Sequence, residues 1–524
     1  MKRFEKLLLA MLVLASCSKE GPSSGEVGPV TGTVPANMVY HGEILLGKKL
    51  ENPYSLKNIK ASLADLQLTR ASESILPNSL YVRFLPKDAD EYSILSDQGV
   101  DLFDHPMDHE ILRDGDYWHD PSIPEDEMTW QYACVPVGFE FPSGIRHEIL
   151  EECLVPDDEM QTRGAAGVDW DEVERHSYVL TGNEAMLSPR TRGSKSSPSG
   201  RITIVDSDLK GSGVQGVAGV KVTASTFVKV ASAFTDADGE YSMTGKFSSK
   251  PQYKVCFKNQ KGFSIGLNLI LVPASVSSLG KGDPDGLDFK VDKSSDDALF
   301  RRCAVNNAAY DYYGKCESEG IASPASNIRF WILGSLKASC TMMMHHGALI
   351  DINLAGNYMN IYKAIIRVVS PDITIGAKKI SDNYAALYSN TVHELAHASH
   401  FQKVGTSYWG TLTKYVLESF LITGSCYGTG NGDDAGYCEV SEMWAYYVEH
   451  GMFKQRYGTD PGYQSFWFHP QILDEVEAAG LSRGQICSVL GRDVDDAASL
   501  KSALCAAYPD KKAKVTQAFK LYSK

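Results

Sequence analysis

Tyr384-Ala385-Ala386-Leu387-Tyr388-Ser389-Asn390-Thr391-Val392-His393-Glu394-Leu395-Ala396-His397-Ala398-Ser399-His400-Phe401 reads as one helix. Ala385, Ala386, Leu387, Leu395, Ala396 and Ala398 supply the apolar, helix-favouring positions that a buried helix needs. Residues four apart share a helical face, so His393 and His397 can point at one metal ion. Glu394, one residue on, reaches a water bound to that ion. The 13 histidines of the chain make chance a poor explanation of this spacing. The stretch therefore predicts a hydrolytic site on a buried helix, and the rest of the chain is read outward from it.

The pattern H-E-x-x-H resembles the signature of the zinc metallopeptidases. That resemblance implies Zn2+ as cofactor, a third protein ligand, and a fourth position open to water or substrate. One arrangement in the group places a third histidine six residues past the second, after a glycine. Here those two positions hold His400 and Lys403, which excludes it. The other arrangement uses a glutamate on a downstream helix, and Glu439-Val440-Ser441-Glu442-Met443-Trp444-Ala445-Tyr446-Tyr447-Val448-Glu449-His450 is the candidate. Glu442, followed three residues later by Ala445, resembles the third-ligand helix of the glutamate-type zincins, where a small residue lets two helices approach closely. Glu442 is taken as the ligand and Glu439 as the reserve, while Glu439 and Glu449 otherwise read as solvated or supporting carboxylates. His400 is left out of the metal set, because three nitrogens from one helix would crowd one side of the ion.

The resemblance implies hydrolysis of peptide bonds, with Glu394 accepting a proton from the activated water and passing it to the leaving amine. Tyr446, Tyr447 and His450 are candidate donors to the oxyanion, against the ordinary role of an aromatic-rich helix as core. The expected function is a zinc-dependent endopeptidase acting on proteins or peptides outside the cytoplasm. The alternative is a surface binding lipoprotein whose zincin fold has lost turnover; an intact Glu394 speaks for the first.

Compartment is read from the other end of the chain. Lys2, Arg3 and Lys6 precede an apolar run, Leu7 to Ala15, too short to span a membrane, and Leu14-Ala15-Ser16-Cys17 matches a bacterial lipobox. Residues 1–16 are thus expected to be a lipoprotein signal peptide, Cys17 the lipidated residue, and 17–35, rich in Ser, Gly and Pro, a flexible tether. The expected location is the cell envelope, lipid-anchored, on the periplasmic or the outer face. The Ser18-Lys19-Glu20 segment resembles the export signals of Bacteroidetes surface lipoproteins, without their acidic run. A net charge of −14 argues against nucleic acid or anionic membrane surfaces as partners.

Composition shifts suggest where to divide the chain. Residues 36–187 are acidic, with strand-like runs such as Ser79 to Leu85 and a helical run from Trp170, and read as an α+β domain. Residues 188–199 read as a linker. From 200 to 293 short alternating runs, among them Arg201 to Val205, Val220 to Ala224, Lys229 to Thr235 and Tyr253 to Lys258, argue a β-sandwich. Thr235-Asp236-Ala237-Asp238-Gly239-Glu240-Tyr241 resembles the T-D-x-x-G-x-Y turn of the carboxypeptidase regulatory-like domain, which implies a spacer or docking surface. Asp236 and Asp238 are read as turn formers rather than calcium ligands, since no glutamate closes such a loop. Residues 294–524 are expected to be a mainly α, zincin-like catalytic domain, and the whole chain resembles a zinc-peptidase lipoprotein of Bacteroidetes type. Ten cysteines remain beside Cys17, and Cys426 with Cys438 and Cys487 with Cys505 are the disulfide pairs to test against buried thiols. The acidic domain reads equally as a propeptide over the cleft or as a structural unit.

Overall fold

The computed structural model describes residues 42–124, 127–156, 168–188, 196–266, 274–334, 338–348, 371–378 and 383–522. The signal peptide, Cys17, the tether and most of the 188–199 linker lie outside them. Within them helices and sheets are mixed, with a mostly β middle and a helical C-terminus.

The first region holds β1 (Leu45–Lys49), α1 (Leu56–Asp65), α2 (Thr69–Ser74), β2 (Ser79–Leu85), α3 (Ala89–Asp97), β3 (His109–Arg113), β4 (Gln131–Pro136), β5 (Arg146–Cys153) and α4 (Trp170–Leu180). An antiparallel sheet runs β4-β2-β5, and β1 pairs with β3. Alternation along β2 turns Val82 and Phe84 onto Leu95, Ala133 and Val135. Trp170 and Val173 of α4 close over Ile59 and Leu63 of α1. Asp88 and Asp169 accept the first amides of α3 and α4, which fixes where those helices start.

The middle region holds β6 (Ser199–Val205), β7 (Val214–Gly216), β8 (Lys221–Thr226), β9 (Lys229–Phe234), β10 (Glu240–Ser242), β11 (Gln252–Cys256), β12 (Phe263–Gly266), β13 (Val276–Lys281) and β14 (Phe289–Val291). One sheet is ordered β10-β6-β14 with β7 on β6, the other β13-β11-β8-β9. Ile202, Ile204, Val222, Ala224, Tyr253 and Val255 share one core. The Thr235 to Tyr241 turn behaves as its side chains predict: Asp236 Oδ1 accepts from the amides of Asp238 and Glu240, both at 2.9 Å. Gly239 adopts φ +77°, where a Cβ would lie 2.2 Å from the Ile202 carbonyl, so only glycine fits.

Alternation also leaves β8 and β11 a second face, carrying Lys221, Thr223, Gln252, Lys254 and Cys256, and the first region covers it. The acidity of 36–187 is used there. Asp101 pairs with Lys221, Asp97 with Lys258 at 2.6 Å, Asp116 with Arg302 at 3.4 Å and Asp90 with Arg329 at 3.4 Å. Beside them Glu174 of α4, fully buried, takes Lys229 Nζ at 3.1 Å, Tyr54 Oη at 2.8 Å and Ser248 Oγ at 2.7 Å. A buried ion pair of this kind persists only with such extra hydrogen bonds.

The last region holds α5 (Asp297–Glu319), β15 (Ile328–Leu333), β16 (Cys340–Thr341), β17 (Ile373–Gly376), α6 (Tyr384–Thr423), α7 (Ala435–Tyr457), α8 (Gln471–Ala478), α9 (Arg483–Val489), α10 (Ala497–Ala507) and α11 (Lys512–Tyr522). Its sheet is ordered β12-β15-β17-β16, parallel except for the edge strand β16. Strand β12 therefore crosses the boundary expected at 293/294, and the apolar core runs on from Ile202 to Phe519. Asp206, fully buried in the middle region, receives Arg456 Nη2 and Tyr457 Oη of α7, both at 2.9 Å. The described cysteines form no disulfide. Cys426, Cys438, Cys487 and Cys505 are thiols, so of the two alternatives left open by the sequence the structure takes the thiols for both pairs.

Candidate metal centre

Helix α6 carries the motif and is broken once, at Gly405, with φ 75° and ψ −177°. That combination belongs almost solely to glycine. The stretch before it, Tyr384 to Phe401, is nearly all buried, with Leu395, Ala396 and Ala398 fully so. The stretch after it carries Trp409, Leu412, Thr413 and Val416 to one side of the motif. Helix α7 packs against the first stretch: Trp444 Nε1 donates to the Ala396 carbonyl at 3.1 Å, and Ala445, fully buried, leaves room for the contact.

This packing brings His393, His397 and Glu442 together in a buried group able to hold a metal ion. The two Nε2 atoms are 3.2 Å apart, and Glu442 places Oε2 3.4 Å from His393 Nε2 and Oε1 3.4 Å from His397 Nε2. Taking one donor atom from each residue, the three lie within 4.8 Å of one another, close enough to share one ion. Both outer ring nitrogens are engaged, His393 Nδ1 with Glu449 Oε2 and His397 Nδ1 with Ser441 Oγ, each at 2.9 Å. These bonds turn the Nε2 atoms inward and fix the ring planes. Ser389 in turn donates to the other oxygen of Glu449.

Electrostatics agree with the geometry. Burial alone would lower the His393 pKa, yet the hydrogen bonds and charges of Glu442 and Glu449 raise it to about 10. Burial would raise Glu442, but His397 and His393 pull it down to about 2. Glu394 is raised by burial against the opposing pull of His393, His397 and Thr341. Two buried carboxylates, Glu394 and Glu442, and the half-buried Glu449 around two imidazoles make a site that favours added positive charge. Glu394 Oε2 accepts from Thr341 Oγ1 at 2.7 Å, which anchors it to edge strand β16. The described residues lining the cleft lie between Cys340 and Glu442, and none belongs to the acidic first region.

The remaining candidates separate cleanly. Glu439, the reserve ligand, accepts from the Ala497 amide at 2.9 Å and so faces the start of α10. His400 is fully buried, 3.4 Å from Ser441 Oγ, and burial lowers its pKa to about 3; it is not among the residues that line the cleft. Tyr447 donates to Glu477 at 2.9 Å, and His450 stacks on Tyr463, so both belong to packing. Tyr446 lies edge-on to His393 at 4.5 Å between ring centroids, with its hydroxyl 2.7 Å from that of Tyr427. Thr341 and Ser441 had no signal in the sequence, because lone hydroxyl residues recur everywhere in a chain of this size. Comparison with protein-family models, curated proteins and solved structures gives no match.

Proposed function

We propose that the chain is a zinc-dependent endopeptidase of the glutamate-type zincin kind, held at the cell envelope through Cys17 and acting on proteins or peptides outside the cytoplasm. The observation that carries this reading is the near-equal 3.2–3.4 Å spacing of the inner atoms of His393, His397 and Glu442, with Glu394 on the next helical position. Two imidazoles and a carboxylate suit zinc, and a bound zinc ion supplies Lewis acidity and lowers the pKa of its coordinated water. Glu394 does the proton work. Its Oε2 is held by Thr341, which leaves Oε1 to take a proton and return it to the leaving amine. Burial, by raising its pKa, improves Glu394 as an acceptor. Glu449 and Ser441 keep both imidazoles aimed inward throughout. The regulatory-like turn at 235–241 supports a non-catalytic role for the middle region, as a spacer for the helical part.

Digestion of a protein mixture by purified wild type and by Glu394→Ala, each with zinc content measured, tests the proposal. The expected result is cleavage by wild type alone, with zinc bound by both. Equal cleavage by the two proteins removes Glu394 from the mechanism, and zinc binding without cleavage by either supports a binding protein instead.

A further inference from the structure

A second cleft, sharing no lining residue with that of the metal centre, lies between the first region and the polar face of β11. It is lined by Lys48, Lys250, Lys254, Lys281, His105 and His109, against one acidic lining residue, Glu110. In a chain of net charge −14 that local reversal of sign is itself a signal. Lys48, Lys250 and Lys281 are exposed and have no carboxylate partner among the described residues.

The deepest cation is the informative one. Lys254 is only 6% exposed. Its Nζ meets His105 Nε2 at 3.1 Å, and His105 Nδ1 lies 3.1 Å from the Pro106 carbonyl, so Nε2 is the unprotonated acceptor. Burial and the Lys254 charge together lower the His105 pKa to about 3, which keeps that imidazole neutral. A buried ammonium with three N–H donors thus has one neutral hydrogen-bond acceptor; its counter-charge is Asp104, a carboxyl whose pKa burial raises and the Lys254 charge lowers, but no ion pair joins the two among the described residues. A charge buried with only a distant carboxylate is incompletely offset, and an anion in direct contact would stabilise it further. Phe103, Met107 and Phe227 supply apolar wall beside it, so the cleft joins cationic side chains to an apolar surface.

We propose that this cleft is a binding site for a small organic anion, a carboxylate or phosphate carried on an apolar body, with the anionic group on Lys254 and the body against Phe103 and Phe227. Lys250 and Lys281 at the rim steer the ligand inward. The site is independent of the metal.

Isothermal titration of the full chain with 3-phenylpropionate and with phenyl phosphate, and with benzyl alcohol as the uncharged control, tests it and distinguishes the two anions. Expected are saturable binding of at least one anion and none of the alcohol, weakened roughly tenfold or more by Lys254→Met. The double variant Lys250→Glu/Lys281→Glu, confined to exposed positions, should weaken the same anion and steepen no unfolding defect. Zinc chelation should leave binding unchanged. Absence of saturable binding by either anion at millimolar concentration overturns the proposal, as does binding that survives undiminished in both variants.

Discussion

Glu449 makes no contact with the inner face of the site, yet its replacement should loosen the metal. Its Oε2 stands 2.9 Å from His393 Nδ1, and its other oxygen accepts from Ser389. In Glu449→Gln the shape is kept and the charge is lost. If the amide oxygen accepts from His393 Nδ1–H, its NH2 faces Ser389, whose hydroxyl must turn from donor to acceptor, so one bond of the chain His393–Glu449–Ser389 must reorganise. Carboxylates that support ligating histidines in this way contribute about 10–100-fold to metal affinity, or roughly 1.4–2.7 kcal/mol. Competition of wild type and variant against a chromophoric chelator at fixed pH reads this directly. The account expects a loss within that range for Glu449→Gln and a far larger one for Glu442→Ala. Zinc affinity unchanged in Glu449→Gln refutes the supporting role, and equal losses in the two variants refute the assignment of Glu442 as ligand and Glu449 as support.

Other consequences follow from the same structure. A proton on His393 Nε2 competes with the metal, and a pKa of about 10 means the metal must displace it throughout the neutral range. Apparent affinity should therefore rise by about tenfold per pH unit between pH 6 and 8, with proton release seen by calorimetry in buffers of different ionisation enthalpy; a flat profile contradicts it. Gly405→Ala forces a backbone conformation that costs about 1–3 kcal/mol. It should lower stability in urea by that amount and alter cleavage by shifting Trp409 and Leu412, and a stable, fully active variant would show that the break is not needed. Glu174→Gln strips the partner from buried Lys229 and should destabilise by about 3–5 kcal/mol, with much of the loss recovered in Glu174→Leu/Lys229→Met. A chemical denaturation series measures both, and a loss below about 1 kcal/mol for the single variant would show that the pair is solvated.

The motif helix was legible because its information is local: a face of alanines and leucines and two imidazoles one turn apart; the break at Gly405 was not read from the sequence. Third-ligand choice needed one fact more. Glu439 and Glu442 lie three residues apart on one helix, and which of them meets the histidines depends on how α7 rolls against α6, fixed by Trp444 on the Ala396 carbonyl. Helix α5 was not anticipated. It is buried nearly all round, with Phe300, Cys303, Ala304, Val305, Ala308, Ala309 and Tyr312 facing several neighbours, so it lacks the one-sided periodicity that marks a surface helix. Asn306 within it is buried too, and donates to the Ala218 carbonyl at 2.8 Å, a contact no sequence pattern announces. The pairing of β12 with β15 was equally hidden, since a four-residue parallel strand carries no signature beyond apolar content. The choice between thiol and disulfide stayed open for a related reason: spacing along the chain says nothing of whether two sulfurs face each other.

X-ray absorption at the zinc edge of the purified, zinc-loaded protein tests the central claim most directly. The account predicts one zinc per chain, bound by two imidazole nitrogens and oxygen ligands at about 2.0–2.1 Å with no sulfur shell, and loss of that signature in His397→Ala. Absence of stoichiometric zinc, or a sulfur shell near 2.3 Å drawn from the cysteine thiols, would contradict it.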